Sequence, residues 1–351
     1  MKIENKQDAI AEELEQRIAS GQYSEKLPKA LELAEEFKVN FKTLNKAIRQ
    51  LVEKNRVYRK PGRGTFIVQE PARLEDSLIE LLFVGSSEMS VHPFYSEMQR
   101  GILDSLKDTG FRLVLTMLEE NRRTGGVKEV HSDFIPSAGK ILIGTCNEEQ
   151  IRKLKRQKVP FVLMGAKTPD PEIISVFTDT TQAVFEAIDY LYEMGRSKIA
   201  YLGITQSEGE HLLDLDKFHS YLAAIQKHGK LDSDLIENTP PLAKFSYSAM
   251  KKILNRKKPD AVIAAYDHIV PGIYRAIAEA GLSIPSDIGV IGIDGINPNV
   301  NPALTSIPVD RYTMGHEAGQ LLIQMIRNPG KNKHNSTMHQ AKFNPSTGNS
   351  I

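Results

Sequence analysis

The sequence predicts an α/β protein: a two-lobed body of parallel sheets, preceded by a small helical module that ends in a β-hairpin. Three observations carry this. From residue 78 onward, short apolar runs alternate with amphipathic helical stretches, the pattern of parallel strands joined by helical crossovers. That alternation passes through two successive series, each the size of a small domain. Before it, residues 1–70 hold helical periodicities and then two short strand-like runs around glycines.

In the N-terminal block, Ile10, Leu14 and Ile18 recur four apart on one helical face, and Gly21 ends that helix. After Leu27-Pro28 a short helix turns Leu31, Leu33, Ala34 and Phe37 inward. Lys38-Val39-Asn40 is a tight connection, with Asn40 as the N-cap of the next helix. That helix places Leu44, Ala47, Ile48 and Leu51 at i, i+3, i+4, i+7, and carries Lys42, Asn45, Lys46 and Arg49 on its other face. Val57 to Lys60 and Thr65 to Val68 then read as strands around Pro61-Gly62-Arg63-Gly64.

Helix, helix, turn, basic helix and basic hairpin make the layout of a winged helix-turn-helix. The major groove admits one α-helix, whose N-terminal residues reach base edges. Flanking Lys and Arg neutralise phosphates and release counterions. The charge distribution agrees: residues 26–68 carry eleven Lys and Arg against four Glu, a net of +7 on a chain whose total is +1. A solvated surface would show the same charge, so the layout rather than the charge points to a polyanion. Gly62 and Gly64 let the wing tip approach a sugar–phosphate backbone, and Arg63 stands where it enters a minor groove. The candidate DNA-binding residues are Lys29, Asn40, Lys42, Thr43, Asn45, Lys46, Arg49, Arg63 and Gly64. For Thr43 helix-start packing is the competing role, and for Lys46 a solvated face.

Residues 71–77 are expected to be a linker, since the stretch from Gln69 to Asp76 is polar, holds one proline and lacks periodicity. It carries no apolar wedge of the kind that kinks a minor groove. The body, 78–351, begins with a strand at 78–85, a helix at 94–110 with Met98, Ile102 and Leu106 four apart, and strands at 111–118, 140–144 and 160–165 around a charged helix at 147–158. The second series runs from Thr180 to Gly295, with strands at 198–203, 260–266 and 287–295. Residues 78–166 with 310–335 are expected to form one lobe and 178–309 the other. In parallel sheets ligands bind beyond the carboxyl ends of the strands, here in the cleft between lobes.

Several classes are excluded. Cys146 is the only cysteine, so no internal disulfide and no Cys-rich zinc site are possible. The N-terminus is polar from its start and no run of about 18 apolar residues occurs, so a cytoplasmic protein without a membrane partner is expected. No phosphate-binding loop, H-E-x-x-H pair or G-x-S-x-G elbow is present. Neither a metal, a cofactor nor an enzymatic activity is expected.

Two resemblances sharpen this reading. Residues 27–68, with Leu27-Pro28, Leu33-Ala34-Glu35, Val39, Thr43, Lys46-Ala47, Leu51 and Gly62-Arg63-Gly64-Thr65-Phe66, resemble the GntR-type winged helix. That family usually carries Arg where this chain has Leu31 and Phe41, with Lys29 and Lys42 close by, which puts the usual operator sequence in question. Residues 259–295, 301–326 and the closing Pro345-Ser346-Thr347-Gly348 are similar to the LacI-type, periplasmic-binding-protein-like sugar-sensing fold. In the stretch 119–139 that fold implies a helix, but Gly125, Gly126 and Pro136 interrupt the pattern. The hybrid resembles arabinose- and fucose-responsive repressors.

The resemblance implies a regulator, a repressor in the first instance, that binds double-stranded, pseudo-palindromic operator DNA as a homodimer and is controlled by a monosaccharide in the cleft. A solute-binding protein, and a corepressor-type regulator answering to a purine or sugar phosphate, are the alternatives. It also implies ligand residues. Asp294, after the strand VIGI, stands where sugar hydroxyls are commonly accepted, with strand-end capping as its other role. Lys217 stands where the family usually has Arg, and Asp267 is at another cleft position, with helix N-capping as the alternative. With no Trp in the chain, stacking rings must come from Phe94, Tyr95, Tyr247 or Tyr266, of which Phe94 and Tyr266 are best placed. Ser86 and His92, in the loop after the first body strand, complete the candidates.

Overall fold

A computed structural model of the chain describes residues 6–54, 56–68, 74–85, 92–118, 120–121, 126–127, 135–144, 148–168, 170–205, 215–229, 231–329 and 335–351. The chain folds as two units, Met1–Asp76 and Ser77–Ile351. Ser86, Cys146 and part of the expected linker lie outside the described residues.

In the first unit, α1 (Lys6–Ala19), α2 (Ala30–Glu36) and α3 (Phe41–Glu53) pack around Leu14, Leu33, Leu44, Ile48 and Leu51. Gly21, at φ +76°, takes the left-handed turn after α1 that a side chain resists. Leu31 does not turn inward: it is 66% exposed. Leu33 and Ala34 already fill the buried stripe of this short helix, and a residue two positions from Leu33 points to the opposite side. β1 (Val57–Lys60) and β2 (Gly64–Ile67) form an antiparallel hairpin, with Val57 opposite Ile67 and Lys60 opposite Gly64.

The second unit contains two parallel sheets. The first has strand order β15-β9-β8-β7-β3-β4, built from β3 (Leu78–Val84), β4 (Arg112–Leu118), β7 (Gly139–Gly144), β8 (Phe161–Met164), β9 (Ile174–Asp179) and β15 (Thr337–Gln340). Between β4 and β7, β5 (Glu120–Asn121) and β6 (Gly126–Val127) pair antiparallel, so these four residues are strand where the resemblance implies a helix, and most of the stretch 119–139 lies outside the described residues. The second sheet has order β11-β10-β12-β13-β14, from β10 (Ile199–Gly203), β11 (Ile236–Asn238), β12 (Ala261–Ala264), β13 (Gly289–Asp294) and β14 (Thr305–Pro308).

Helices cover both faces of each sheet, as all-parallel sheets require. α4 (Pro93–Ser105) and α10 (Arg311–Arg327) bury Met98, Ile102, Met314 and Leu322 against one face of the first sheet. α5 (Glu148–Arg156) covers the other face with Ile151 and Leu154. On the second sheet, α6 (Thr181–Glu193) and α7 (Asp216–His228) take one face. α8 (Ala243–Arg256) and α9 (Val270–Glu279) take the other. α4 and α10 touch backbone to backbone: a Cβ at Gly101 would collide with the Tyr312 carbonyl, and one at Gly315 with that of Met98.

The chain crosses between lobes more often than the sequence suggests. β9 and β15 join the first sheet, while Ala341, Phe343 and Ile351 pack into the core of the second lobe. The first lobe therefore takes in Ile174–Asp179 and Thr337–Gln340 beyond the expected segments, because each strand pairs in parallel with the edge left open by its predecessor. One charged pair sits inside the first sheet. Lys140 on β7 lies 2.5 Å from Glu80 on β3, and its ammonium also reaches Ser137 Oγ at 3.0 Å and the Ile135 carbonyl at 2.9 Å. Thr116 donates to Glu80 at 2.7 Å and the Ile135 amide at 3.2 Å, so the buried ions are saturated with hydrogen bonds.

Candidate functional site

The basic helix α3 begins at a formed cap. The Asn40 side chain accepts from the Thr43 amide at 2.8 Å and from its hydroxyl at 3.0 Å, which satisfies the first turn and holds Thr43 in place. Leu44, Ala47, Ile48 and Leu51 face the core, which leaves Lys42, Lys46 and Arg49 exposed on the opposite side. Asn45 is half-buried, and its carboxamide oxygen accepts from Arg59 of β1 at 2.6 Å, so the helix is tied to the wing. Lys29 caps α2 with an exposed side chain, its amide held by Glu32 at 3.2 Å.

At the wing tip, Arg63 is exposed between Gly62 at φ +71° and Gly64 at φ +112°. Lys26 and Lys60 flank the Phe66 ring at 5.4 and 5.0 Å. Acidic partners are confined elsewhere: Glu15 pairs with Lys54 at 3.1 Å and with Arg56 at 3.0 Å. Lys42, Lys46, Arg49 and Arg63 make no ion pair among the described residues. The exposed cations of α3 and the wing tip are therefore left unneutralised by the protein among the described residues, as phosphate neutralisation needs.

In the body, the strand ends of the second lobe gather Lys217, Tyr266, Asp267 and Asp294. Asp294 closes β13 at φ 128°, a backbone state that costs a non-glycine residue about 1–3 kcal/mol and collects at functional sites. The Lys217 ammonium, near the start of α7, lies 3.2 Å from Asp294 Oδ1, donates to the Ala265 carbonyl at 3.0 Å, and stands 4.5 Å from the centre of the Tyr266 ring. Burial pushes the Asp294 carboxyl above its ordinary value, while Lys217 and Arg311 pull it down.

Asp267 is held underneath. Both its oxygens accept from the Ser306 hydroxyl, at 2.8 and 2.7 Å, and one takes the Ile296 amide at 2.6 Å. Burial and the neighbouring Asp294 charge push it up to about 7, against those hydrogen bonds.

The first lobe supplies Phe94 and His92. His92 caps α4, its Nδ1 accepting from the Phe94 amide at 3.3 Å, and its ring meets that of His268 edge-on at 4.7 Å. Arg311 links the parts: it donates to the Asp294 carbonyl, pairs with Glu97 at 2.9 Å and lies 5.9 Å over the Phe94 ring. Arg311 and His268 were not among the sequence candidates. His268 directly follows Asp267, and Arg311 starts α10 two residues after Val309, so strand-end position was their available signal. Tyr247 is elsewhere, its hydroxyl 2.5 Å from Glu279 on the outer helices, and Ser86 lies outside the described residues. Chemically the cluster gathers two cations, Lys217 and Arg311, two buried carboxylates, Asp267 and Asp294, and aromatic faces at the strand ends.

Comparisons with known proteins divide the chain the same way. Residues 6–67 match the bacterial regulatory proteins of the gntR family, and residues 188–345 match the periplasmic binding protein-like domain. The arabinose metabolism transcriptional repressor of Geobacillus stearothermophilus is 25% identical over 333 residues, 90% of each chain. Catabolite control protein A of Priestia megaterium is 28% identical over 248 residues, 66% of this chain and 71% of that one. Among solved structures, a complex of the transcriptional regulator CelR with cellobiose superposes with a TM-score of 0.66 at 20% identity, covering 89% of this chain and 92% of that one. The regulator CcpA of Lactococcus lactis gives 0.67 at 20% identity, covering 79% and 99%. No helix among the described residues is long and apolar enough to cross a membrane. With a gntR-family head on a periplasmic-binding-protein-like body, this chain is an effector-controlled, DNA-binding transcription regulator.

Proposed function

We propose that the regulator is a repressor whose operator affinity is set by a small carbohydrate bound at the crevice around Asp294. The observation that carries this is the buried Lys217–Asp294 pair with Tyr266 against it and Arg311 and Phe94 alongside. Hydroxyl groups need charged donors and acceptors fixed in place, and a pyranose or furanose face needs an aromatic ring; the strand-end cluster offers both. Relatives named for arabinose metabolism and for the ribose operon, and a solved relative in complex with cellobiose, support that chemistry. Asp267, Phe94, Tyr266 and His92 are assigned to the same crevice, and Lys42, Thr43, Lys46, Arg49 and Arg63 to DNA.

In this reading the protein is a cytoplasmic, non-catalytic homodimer, so that two heads read a pseudo-palindromic operator. A gntR-type head has no place in a transport binding protein, which disfavours that alternative. The test is a thermal-shift screen of the full chain against monosaccharides, disaccharides, sugar phosphates and purines. A ligand present at 100 times its Kd stabilises the fold by about 2.7 kcal/mol. A carbohydrate hit abolished by Asp294→Ala, and releasing the chain from its operator in a gel shift, bears the proposal out. A hit confined to purines, or one that strengthens DNA binding, replaces it with the corepressor reading.

A further inference from the structure

On the DNA-reading helix, α3, one side chain is chemically unlike its neighbours. Phe41 is the first residue of the helix and is 51% exposed. Around it the exposed face presents hydrogen-bond donors: the ammonium groups of Lys42 and Lys46 and the guanidinium of Arg49. Asn45 adds its two amide donors, and one lone pair of its carboxamide oxygen is held by Arg59 at 2.6 Å.

That inventory limits which bases the helix reads. Donors suit guanine, whose O6 and N7 both accept in the major groove. Adenine recognition by Asn needs a donor to N7 and an acceptor from N6 at once. Asn45 can offer N6 only the second lone pair of an oxygen that Arg59 already holds to the wing. An A·T pair is then legible to this face mainly through the 5-methyl group of thymine, the one apolar feature of the major groove. Contact with that methyl needs an exposed apolar group at the N-terminal end of the helix, where residues reach base edges. Phe41 is that group, and the surrounding cations bring the ring to the groove. A second exposed apolar side chain, Leu31 at 66%, lies on α2, the helix that crosses the DNA backbone in such modules.

We propose that Phe41 is a specificity-determining residue that reads a thymine methyl group in the operator. The proposal rests on DNA binding by the head, and the experiment keeps the two apart. The full chain is used to select duplexes from a random pool. Each thymine of the enriched site is then replaced in turn by deoxyuracil, which keeps the hydrogen-bonding groups and lacks the methyl. At one thymine or more the wild-type chain is expected to bind the deoxyuracil duplex about fourfold more weakly, the value of one buried methyl-sized group. Phe41→Ala should bind the thymine duplex as weakly as wild type binds the deoxyuracil duplex, and should no longer distinguish them. Phe41→Leu should retain part of the difference. If every deoxyuracil replacement is neutral for the wild type, or if Phe41→Ala still discriminates, Phe41 reads no methyl. A pool that yields no enriched site would instead overturn sequence-specific binding itself. The wild-type comparison needs no variant, so a folding defect in Phe41→Ala leaves the outcome decisive.

Discussion

The Lys217 ammonium stands 3.2 Å from the Asp294 carboxylate, and the two residues are 5% and 2% exposed. Breaking one half of such a pair leaves an uncompensated buried charge, which costs about 3–5 kcal/mol. Lys217→Met is therefore expected to lower stability by that order in chemical denaturation. Lys217→Met combined with Asp294→Asn should recover most of the loss, because neither charge remains. A single variant as stable as wild type would show that Asp294 is solvated or otherwise neutralised.

Asp267 carries a pH dependence of known sign. Its folded pKa is pushed up to about 7 from an ordinary 3.8, so the folded state binds the proton more tightly than the unfolded one. The stability it contributes is complete below the ordinary value and is lost as pH rises toward 7. Asp267→Asn keeps an acceptor for Ser306 and Ile296 and removes the titration. Between about pH 4 and 7 its stability should fall less steeply than wild type, by up to about 1.4 kcal/mol per pH unit. Parallel curves for the two proteins would place the Asp267 titration outside this window.

His268 is expected to stay neutral far into acid. The Pro241 carbonyl, 2.7 Å from Nε2, only accepts, so Nε2 carries the proton. Nδ1 is then a bare acceptor, buried and without a hydrogen-bond partner among the described residues. Burial lowers the pKa to about 4, so the stability linked to this group is present above about 6.5 and is lost as pH falls through 4. Nitrogen-15 NMR of the imidazoles should show the Nε2–H tautomer for His268 and a midpoint near 4. A midpoint near 6.5 would mean that the ring is open to water.

The α4–α10 contact predicts a packing defect. Gly315→Ala directs a methyl at the Met98 carbonyl, backbone that cannot turn aside. Overpacking of this kind costs about 1–3 kcal/mol. The thermal midpoint should fall while operator selectivity is kept, since neither helix belongs to the head. An unchanged midpoint would show that the two helices separate freely.

Much of the head was legible in the chain itself. Leu44, Ala47, Ile48 and Leu51 mark a buried stripe by spacing alone, and Asn40 is a cap by residue type and position; both are local properties. Leu31 escaped because a seven-residue helix leaves its register ambiguous until the packing of Leu33 and Ala34 against α3 is known. In the body, alternating apolar runs announced parallel sheets. The polar residues inside two of them, Glu80 and Lys140, find each other only across β3 and β7, 60 positions apart.

By itself, then, the sequence determined the two units, the helical and strand periods, the cationic face of α3 and the residues at strand ends. All follow from near-neighbour geometry, which a linear pattern carries. Only the tertiary structure decided that β9 and β15 complete the first sheet, that Arg311 bridges Asp294, Glu97 and Phe94, and that His268 meets His92. Those relations join residues far apart in the chain, and they are set by which strand edges remain open and which buried charges find partners, quantities that exist only once the layers have packed.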